Sequence, residues 1–353
     1  MSNISWRELT EKTQLHEIKA QWEELNQTQS FNKIFNSSSW IFSWLDTFWQ
    51  EHWQLQVLTA WDNNKLIAIV PLYFQQKNAF SLRTFYPLGQ GEAETAEISS
   101  EYLDILILDK HRDEIAPEVI QWLEDLRADQ LTWRALLAES TANNLFQELN
   151  IRSKINTAVR YFIKQKSWST EQLSKNMRSR YRRGLNQIKK LDAKIGWVEK
   201  EHHDEYWQTM KKFHQERWRN KNKKGAFYSR DFNHFHNEFR KQLPENIVMS
   251  AIWVNDIPIA IHYYFADTST LYFYQSGWNE KEYAKLSPGL LLHLWTISHN
   301  KASAYDFMMG AKHDSYKENF HTEQSSMHNV QIIYRPIKLS VIGILAKIKS
   351  LRL

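Results

Sequence analysis

Hydrophobic and polar positions alternate in short runs along this chain, and two of these runs nearly repeat each other. Residues 61–69 read W-D-N-N-K-L-I-A-I, and residues 253–261 read W-V-N-D-I-P-I-A-I. In each run an apolar strand leads into an Asn/Asp turn, whose residues tolerate positive φ, and a second apolar strand follows. The constant offset of 192 residues predicts one structural unit used twice, so we expect two related α/β domains in tandem.

Helical and strand periodicities fill in the elements around these two predicted hairpins. In the first half we expect the hairpin over 55–74, helices over 8–26, 40–49 and 114–127, and strands over 80–88, 102–108, 131–137 and 160–163. In the second half we expect helices over 170–190, 202–219, 231–243, 287–300 and 314–320, with strands at 196–199, 247–261, 270–277 and 304–308. This order predicts mixed, mainly antiparallel sheets flanked by helices.

The expected domain boundaries follow from this order. Residues 1–165 form an N-terminal domain, residues 166–335 form a C-terminal domain that opens with a basic helical segment, and residues 336–353 form an amphipathic basic tail. We expect the apolar stripe of the tail to pack on its own domain. Contact with a membrane surface or with a partner protein is the alternative.

Composition removes several classes of site. The 353 residues include 9 glycines and no cysteine, and neither G-x-x-x-x-G-K-[ST] nor G-x-G-x-x-G occurs. P-loop and Rossmann nucleotide sites, thiolate metal sites and a cysteine nucleophile are therefore not expected. Histidines and carboxylates lack metal-ligand spacing, so we predict no metal. The N-terminus lacks the apolar core of a signal peptide and no run is long enough to span a membrane, which predicts a cytoplasmic protein.

Positive charge is concentrated in two segments, although the net charge is only +5. Residues 175–194 carry eight Lys/Arg against one acid, and residues 211–224 carry a second basic cluster. Such clusters attract phosphates, nucleic acid or anionic surfaces, and they also occur on plain solvated helix faces. Both interpretations stay open.

Four places in the second half combine chemically useful residue types. Ser287, Pro288 and Gly289 start a helix after a strand containing Tyr274 and Gly277, and a helix N-terminus suits a phosphate. Asp306 lies in an apolar strand, where a carboxylate needs donors or a cleft, and Tyr316-Lys317 follows. Arg217 and Trp218 could hold an anionic or planar group. His262 follows the repeated Ile-Ala-Ile, where a satisfied core histidine is the alternative.

These motifs, in their order, resemble one family. R-R-x₆-K-K-L, F-H-x-x-R-W, D-I-P-I-A, Y-x-S-G, S-P-G, Y-D-F-x-x-G and Y-K are similar to the CelD/BcsL family, which groups with FemAB-like enzymes in the GNAT acyltransferase superfamily. In the first half, Pro71-Leu72, Leu88-Gly89 and Tyr102-Leu103-Asp104 also look like it. The resemblance implies two GNAT-like domains and transfer of acyl groups in exopolysaccharide or cell-envelope synthesis.

The resemblance marks the matching positions without fixing their roles, so the expected roles are assigned from the chemistry of each residue. The expected catalytic residues are Asp306 as base or orienter, Tyr274 as proton donor to the leaving group and Lys317 as charge stabiliser. The residues expected to bind the donor are Ser287, Pro288, Gly289 and Gly277. The residues expected to bind the substrate are Arg217, Trp218, Tyr316, His262 and Asp104. The chain lacks the Q/R-x-x-G-x-G/A segment of single-domain GNAT enzymes, which puts coenzyme A in question more than the fold.

The expected function is therefore acyl transfer from an acyl-CoA or acyl carrier to an amine or hydroxyl of a sugar, polysaccharide or envelope precursor. Acyl-CoA is expected as a co-substrate, with no tightly bound cofactor. A Fem-like transferase that uses aminoacyl-tRNA is one alternative, since the basic helices could grip RNA phosphates. A non-catalytic GNAT-fold binding module is the other.

Overall fold

The computed structural model describes residues 3–31, 33–310 and 315–350 of the chain. Up to residue 164 the strands are β1 (Ile4–Leu9), β2 (Trp53–Asp62), β3 (Lys65–Gln75), β4 (Thr84–Pro87), β5 (Leu106–Ile107), β6 (Gln130–Leu137) and β7 (Ser153–Lys164). The helices of this stretch are α1 (Lys12–Glu17), α2 (Lys19–Gln27), α3 (Ser38–Phe48), α4 (Arg112–Glu124) and α5 (Thr141–Glu148).

The same alternation continues to the end of the described chain. The strands are β8 (Lys194–Trp197), β9 (Ile247–Val254), β10 (Ile257–Ala266), β11 (Thr270–Trp278), β12 (Ala304–Gly310) and β13 (Glu323–Ile333). The helices are α6 (Lys175–Lys190), α7 (His203–Arg219), α8 (Arg230–Gln242), α9 (Glu280–Tyr283), α10 (Pro288–His299) and α11 (Pro336–Ser350). The predicted α/β class, with mixed and mainly antiparallel sheets flanked by helices, is confirmed.

The chain divides into two compact units. The first unit comprises residues 1–93, 98–158 and 326–353, and the second comprises residues 94–97 and 159–325. The first unit therefore holds both ends of the chain, because β13 pairs antiparallel with β6. The expected boundaries lay instead after residues 165 and 335.

Each unit contains one of the predicted hairpins. In the first unit the strand order is β1-β2-β3-β4-β6-β13, and in the second it is β7-β12-β11-β10-β9-β8. Pairing is antiparallel except for β4 with β6 in the first unit and β11 with β12 in the second. Both sheets are thus mixed, as the alternation of elements predicts.

The two hairpins match in register as well as in sequence. Ala60 pairs with Ala68 in the first and Ile252 pairs with Ala260 in the second, both at the same offset. Each second strand then skips one residue, Ile67 or Ile259, as a bulge. The turn residues Asn63, Asn64, Asn255 and Asp256 all have positive φ, between 48° and 69°. The predicted internal repeat is therefore present in the backbone.

Helices cover both faces of the sheet in the second unit. On one face α10 packs against β9, β10 and β11, and α6 packs on α10. This packing is close because Gly184 has no side chain; a Cβ there would lie 3.2 Å from the Leu291 side chain. On the other face, α7 packs against β10 and β11. Side chains of β10 and β11 therefore alternate between two helical layers.

Several predicted boundaries moved when local hydrogen bonds competed with the hydrophobic pattern. The strand expected over 80–88 begins only at Thr84, because the Asn78 side chain accepts bonds from the Phe80 and Ser81 amides and holds a turn. Tyr102 has a φ of 61°, so the strand expected from that residue shrinks to β5. Leu9 belongs to β1 rather than to the first helix. The predicted helix over 314–320 starts outside the described residues and is a short 3₁₀ helix over Tyr316–Phe320.

The tail forms α11, in which Leu339 and Ile342 are partly buried and three other apolar residues are exposed. Ile337, Val341 and Ile344 are 81%, 49% and 58% exposed. Lys338 fastens the helix to the first unit through Asp129, at 2.6 Å. Among the described residues, no helix combines the length and apolar character needed to cross a membrane.

Candidate active site

A cavity of about 510 Å³ opens in the second unit, lined by residues of β11, the start of α10 and the 3₁₀ helix over Tyr316–Phe320. Among the described residues, β11 and β12 pair only from Thr270 to Tyr272 and from Ala304 to Asp306. Both strands continue beyond that pairing, so the sheet opens there. Phe273, Ser276 and Trp278 of β11 line the opening on one side, and Tyr316 and Phe320 line it on the other.

The start of α10 lies in the cavity wall, as the motif predicted. Ser287, Pro288 and Gly289 all line the cavity. Ser287 is the N-cap residue, with a left-handed φ of 52°, but its side chain makes no capping bond. Proline has no N–H and the Leu291 amide bonds the Ser287 carbonyl, so the first-turn amides of Gly289 and Leu290 are those that an α-helix leaves open. Together with the helix dipole, they suit an anion.

Two arginines flank this helix start. Arg180 comes from the basic helix α6, and Arg217 comes from the end of α7. The Arg217 guanidinium lies 4.0 Å from the ring centroid of Trp278, and a Cβ on Gly289 would lie 3.4 Å from that same ring. The indole thus sits against the helix start and fixes the guanidinium by a cation–π contact. The cavity lining also includes the carboxylate of Glu280, so the two guanidiniums leave the wall near the open amides net positive.

The deep end of the cavity is formed by two buried histidines. His262 is 1% exposed and His293 is 4% exposed, with ring centroids 4.4 Å apart. His262 Nδ1 lies 3.1 Å from the Tyr264 hydroxyl, and His293 Nδ1 lies 2.8 Å from the Tyr305 hydroxyl. Burial lowers the pKa of His262 to about 3 and lowers the pKa of His293 well below its ordinary value. Both rings are therefore neutral at pH 7.

Asp306 and Lys317 do not line the cavity; they hold a bulge in β12. Between Asp306 and Met309 the strand has one residue more than β7, and Met308 takes a φ of 61°. Asp306 Oδ1 accepts a bond from the Met308 amide at 2.6 Å, and Oδ2 accepts one from Arg160 Nε at 2.7 Å. Both carboxylate oxygens thus have donors at zero exposure.

The Lys317 ammonium stabilises the same bulge by bonding to its backbone carbonyls. Lys317 Nζ donates to the carbonyls of Phe307, Met308 and Met309 at 2.6, 3.2 and 2.7 Å. An ammonium has three hydrogens, so these bonds use its full donor capacity. The two charged side chains of the Y-D-F-x-x-G and Y-K motifs therefore act on backbone groups.

Tyr274 and Gly277 lie on the face of β11 that points away from the cavity. The Tyr274 hydroxyl lies 3.0 Å from His236 Nε2 of α8. A Cβ on Gly277 would lie 2.3 Å from the Met210 carbonyl oxygen, so this glycine permits close approach of α7 to the strand. Neither residue is positioned to touch a ligand in the cavity.

Trp218 and Asp104 also have local partners. Trp218 Nε1 donates to His214 Nε2 at 2.9 Å, and burial lowers the pKa of His214 to about 4. Asp104 belongs to the first unit, where it accepts bonds from the amides of Thr141 and Ala142 at the start of α5. Burial raises its pKa to about 6. Of the residues predicted for the site, the cavity brings together Arg217, His262, Ser287, Pro288, Gly289 and Tyr316.

Sequence reasoning missed several cavity residues, including Arg180 and His293. His293 carried a usable signal, because it is a polar residue within the apolar run of α10, Leu290 to Leu294. Arg180 had none, since it is one of many cations in its helix. Within 3–31, 33–310 and 315–350, no group of three or more acidic or histidine side chains is placed to hold a metal.

Comparison with known proteins agrees with this geometry. Residues 175–318 match the model of a family described as an acetyltransferase (GNAT) domain, and they include all but two of the residues that line the cavity. The sequence matches no curated protein. Residues 175–318 are thus similar in sequence to a GNAT acetyltransferase domain.

Solved structures extend the likeness in fold to nearly the whole chain. FemX aligns with a TM-score of 0.59 at 10% identity, covering 96% of this chain and 99% of its own. The C-terminal domain of a putative lysylphosphatidylglycerol synthetase from Agrobacterium fabrum aligns at 0.55 and 7%, covering 94% and 95%. L-PGS from Bacillus licheniformis aligns at 0.50 and 9%, covering 87% and 94%. At these identities the similarity shows the fold alone.

Proposed function

We propose that this protein is an acyltransferase that moves an acyl group from an acyl-CoA to an amine or hydroxyl of a sugar, polysaccharide or cell-envelope precursor. The observation that carries the proposal is the cavity in which an open helix start, flanked by arginines, leads to a buried, uncharged end. An extended donor fits this cavity, because its phosphates suit the positively charged entrance and its acyl group suits the uncharged end. The acceptor class comes from the CelD/BcsL resemblance.

In this proposal the phosphates bind at the start of α10. The open amides and the dipole of the helix receive them, and Arg180 and Arg217 neutralise their charge. Because Trp278 fixes Arg217 before binding, little side-chain entropy is lost when the donor arrives. The acyl end then lies towards Phe273 and the two histidines.

The acceptor attacks the thioester directly. The carbon–sulfur bond breaks as the new carbon–nitrogen or carbon–oxygen bond forms, and the proton lost by the acceptor balances the one gained by the thiolate. Tyr316 lines the cavity and its phenol is protonated at neutral pH, so we assign it the donation of a proton to the leaving thiolate, in place of Tyr274. Asp306 and Lys317 act as positioning residues through β12.

The test is thermal stability against CoA, acetyl-CoA and butyryl-CoA. A ligand at 100 times its dissociation constant should add about 2.7 kcal/mol of stability. Arg217→Ala should weaken the response of every CoA species, while Arg219→Ala, on the same helix but outside the cavity, should leave it unchanged. No response to any CoA species by the folded wild type would contradict the proposal.

An aminoacyl-tRNA donor is the second candidate, favoured by one observation. On α6, besides Arg180, five exposed cations make no ion pair among the described residues: Lys175, Arg182, Arg183, Lys189 and Lys190. RNA phosphates would suit this face, and binding would weaken steeply with salt. Retardation of tRNA at low salt, lost in Arg182→Ala/Arg183→Ala, would support this donor; no retardation would remove it.

A further inference from the structure

The deep end of the cavity contains a hydrogen-bonding atom that has no partner. His262 Nε2 is buried and unpaired among the described residues, whereas Nδ1 of the same ring faces the Tyr264 hydroxyl. That hydroxyl also lies 2.9 Å from both Ser250 Oγ and Thr296 Oγ1, so the histidine ring is held in place from behind. Buried polar groups in proteins are nearly always paired, by protein, water or ligand.

The surroundings of this nitrogen are aromatic. The ring of Phe273 lies 4.9 Å from that of His262 and 4.4 Å from that of His293. The start of α10 is partly exposed, while His262 is not. A ligand held by its phosphates at the helix start therefore presents its far end to the unpaired His262 nitrogen, beside the rings of Phe273 and His293.

We propose that the transferred acyl group carries an uncharged polar substituent, a hydroxyl or a carbonyl, that hydrogen-bonds to His262 Nε2. The proposal rests on the proposed function, since it places the acyl end of the donor at the histidines. A plain alkyl chain would fill the space and leave the nitrogen unpaired, and a charged ammonium would be costly to bury. His262 is then a specificity-determining residue, and the substituent is unchanged by the transfer.

The chemistry of the neutral imidazole agrees with this assignment. Burial keeps the ring neutral, so it offers one donor or one acceptor rather than a charge. A hydroxyl can pair with Nε2 in either tautomer, and a carbonyl pairs when Nε2 carries the hydrogen. Because an enzyme site that hydrogen-bonds its substrate rejects the analogue lacking that group, the preference should be visible in binding.

The experiment is isothermal titration of the full chain with CoA, butyryl-CoA, 3-hydroxybutyryl-CoA and acetoacetyl-CoA. Wild type should bind at least one polar ester about fivefold to tenfold more tightly than butyryl-CoA, the size of one net hydrogen bond. His262→Leu should bind the esters equally. His299→Leu, an exposed histidine at the end of the same α10, should behave as wild type. The two polar esters distinguish a hydroxyl from a carbonyl.

The possible results distinguish failure of this inference from failure of the proposed function on which it rests. Equal affinity of wild type for all three esters would overturn it, and so would a preference that survives in His262→Leu. If CoA and all its esters fail to bind, the proposed function itself is refuted. Should His262→Leu not fold, His262→Gln retains a polar group and should keep part of the preference, whereas complete loss in a folded His262→Gln would contradict the hydrogen bond.

Discussion

The two repeated hairpins share a backbone but differ in what they bury. Leu58 faces Val70 across the first hairpin, and Ser250 faces His262 at the same register position in the second. Two residues further along, Leu72 corresponds to Tyr264 at the same offset. At these positions the first hairpin buries hydrocarbon, and the second buries a connected set of hydroxyls and an imidazole.

This difference shows how little sequence change separates a structural copy of a hairpin from one that lines a cavity. Turn, register and bulge are the same in both, so the backbone geometry does not depend on the polar residues. The three changed positions lie on one face of the strand pair, where alternation points their side chains to the same layer. The comparison can be tested by substitutions in either unit.

The largest expected loss of stability comes from breaking the ion pair between Asp306 and Arg160, which shapes β12 in the second unit. Asp306→Asn leaves Arg160 buried with a neutral partner, so the free energy of unfolding should fall by about 3–5 kcal/mol. Urea unfolding measures the loss. Lys164→Ala, which breaks an exposed pair with Glu323, should cost no more than about 1 kcal/mol. An Asp306→Asn protein of normal stability that has lost only acyl transfer would restore Asp306 as the base.

Substitution of Gly277 should cause the second-largest loss of stability. Gly277→Ala places a methyl group against the Met210 carbonyl, and since backbone must move, we expect a loss of about 2–3 kcal/mol. Gly196→Ala in β8 is the matched control, because its Cβ would meet only the Trp253 ring, at 3.5 Å. Equal melting temperatures for the two variants would mean that α7 does not approach β11 this closely.

The third prediction concerns pH and tests the hairpins directly. The pKa of His262 falls from an unfolded value near 6.5 to about 3 in the folded chain, so the unfolded state binds more protons between these values. Stability is therefore fully present above pH 6.5 and is lost as the pH falls towards 3, by about 2 kcal/mol at pH 5 from this residue.

His262→Val copies Val70 of the first hairpin and should remove that share of the acid sensitivity. The measurement is the difference in unfolding free energy between pH 7 and pH 5 for wild type and variant. His299→Val, at an exposed histidine, should leave the difference unchanged. The same pH difference in wild type and His262→Val would show that His262 does not titrate as its burial requires.

Substitutions in the two hairpin turns should cause the smallest losses of stability, and the losses should be equal in the two hairpins. Asn63 and Asn255 occupy the same turn position, with φ of 48° and 50°. Replacement by alanine should cost about 1 kcal/mol in each, and replacement by glycine should cost little, because only alanine is strained at positive φ. Thermal unfolding of the four variants gives the comparison. A difference of more than about 1 kcal/mol between the two alanine variants would argue against equivalent turns.

Much of the fold follows from the sequence, because hairpins and amphipathic helices depend on local patterns. The polar turns at Asn63 and Asn255 needed no tertiary information. The strand ends at Thr84 and Leu106 could not be predicted, since a side chain bonding to a nearby turn and a left-handed tyrosine set them. Hydrophobic periodicity records neither feature: the Asn78 bonds are local to the turn, whereas the Tyr102 amide bonds the carbonyl of Ala135, which is distant in sequence.

The site was harder to predict than the fold. Motif residues such as Asp306, Lys317 and Gly277 mark positions where a side chain, or its absence, controls backbone geometry, and their sequence cannot distinguish that role from contact with a ligand. Ser287 to Gly289 and Arg217 do reach the cavity. His262 fell between the two expectations, because it is a core histidine with one nitrogen satisfied and one available.

The return of β13 and α11 to the first unit has a consequence for synthesis of the chain. On the ribosome, all residues of the second unit have been made once residue 325 is added, while the first unit still lacks the strand that pairs with β6. The half that is translated first is therefore completed last. A stalled or prematurely terminated chain would leave an unpaired edge on β6, which is the kind of surface that chaperones bind and that aggregates.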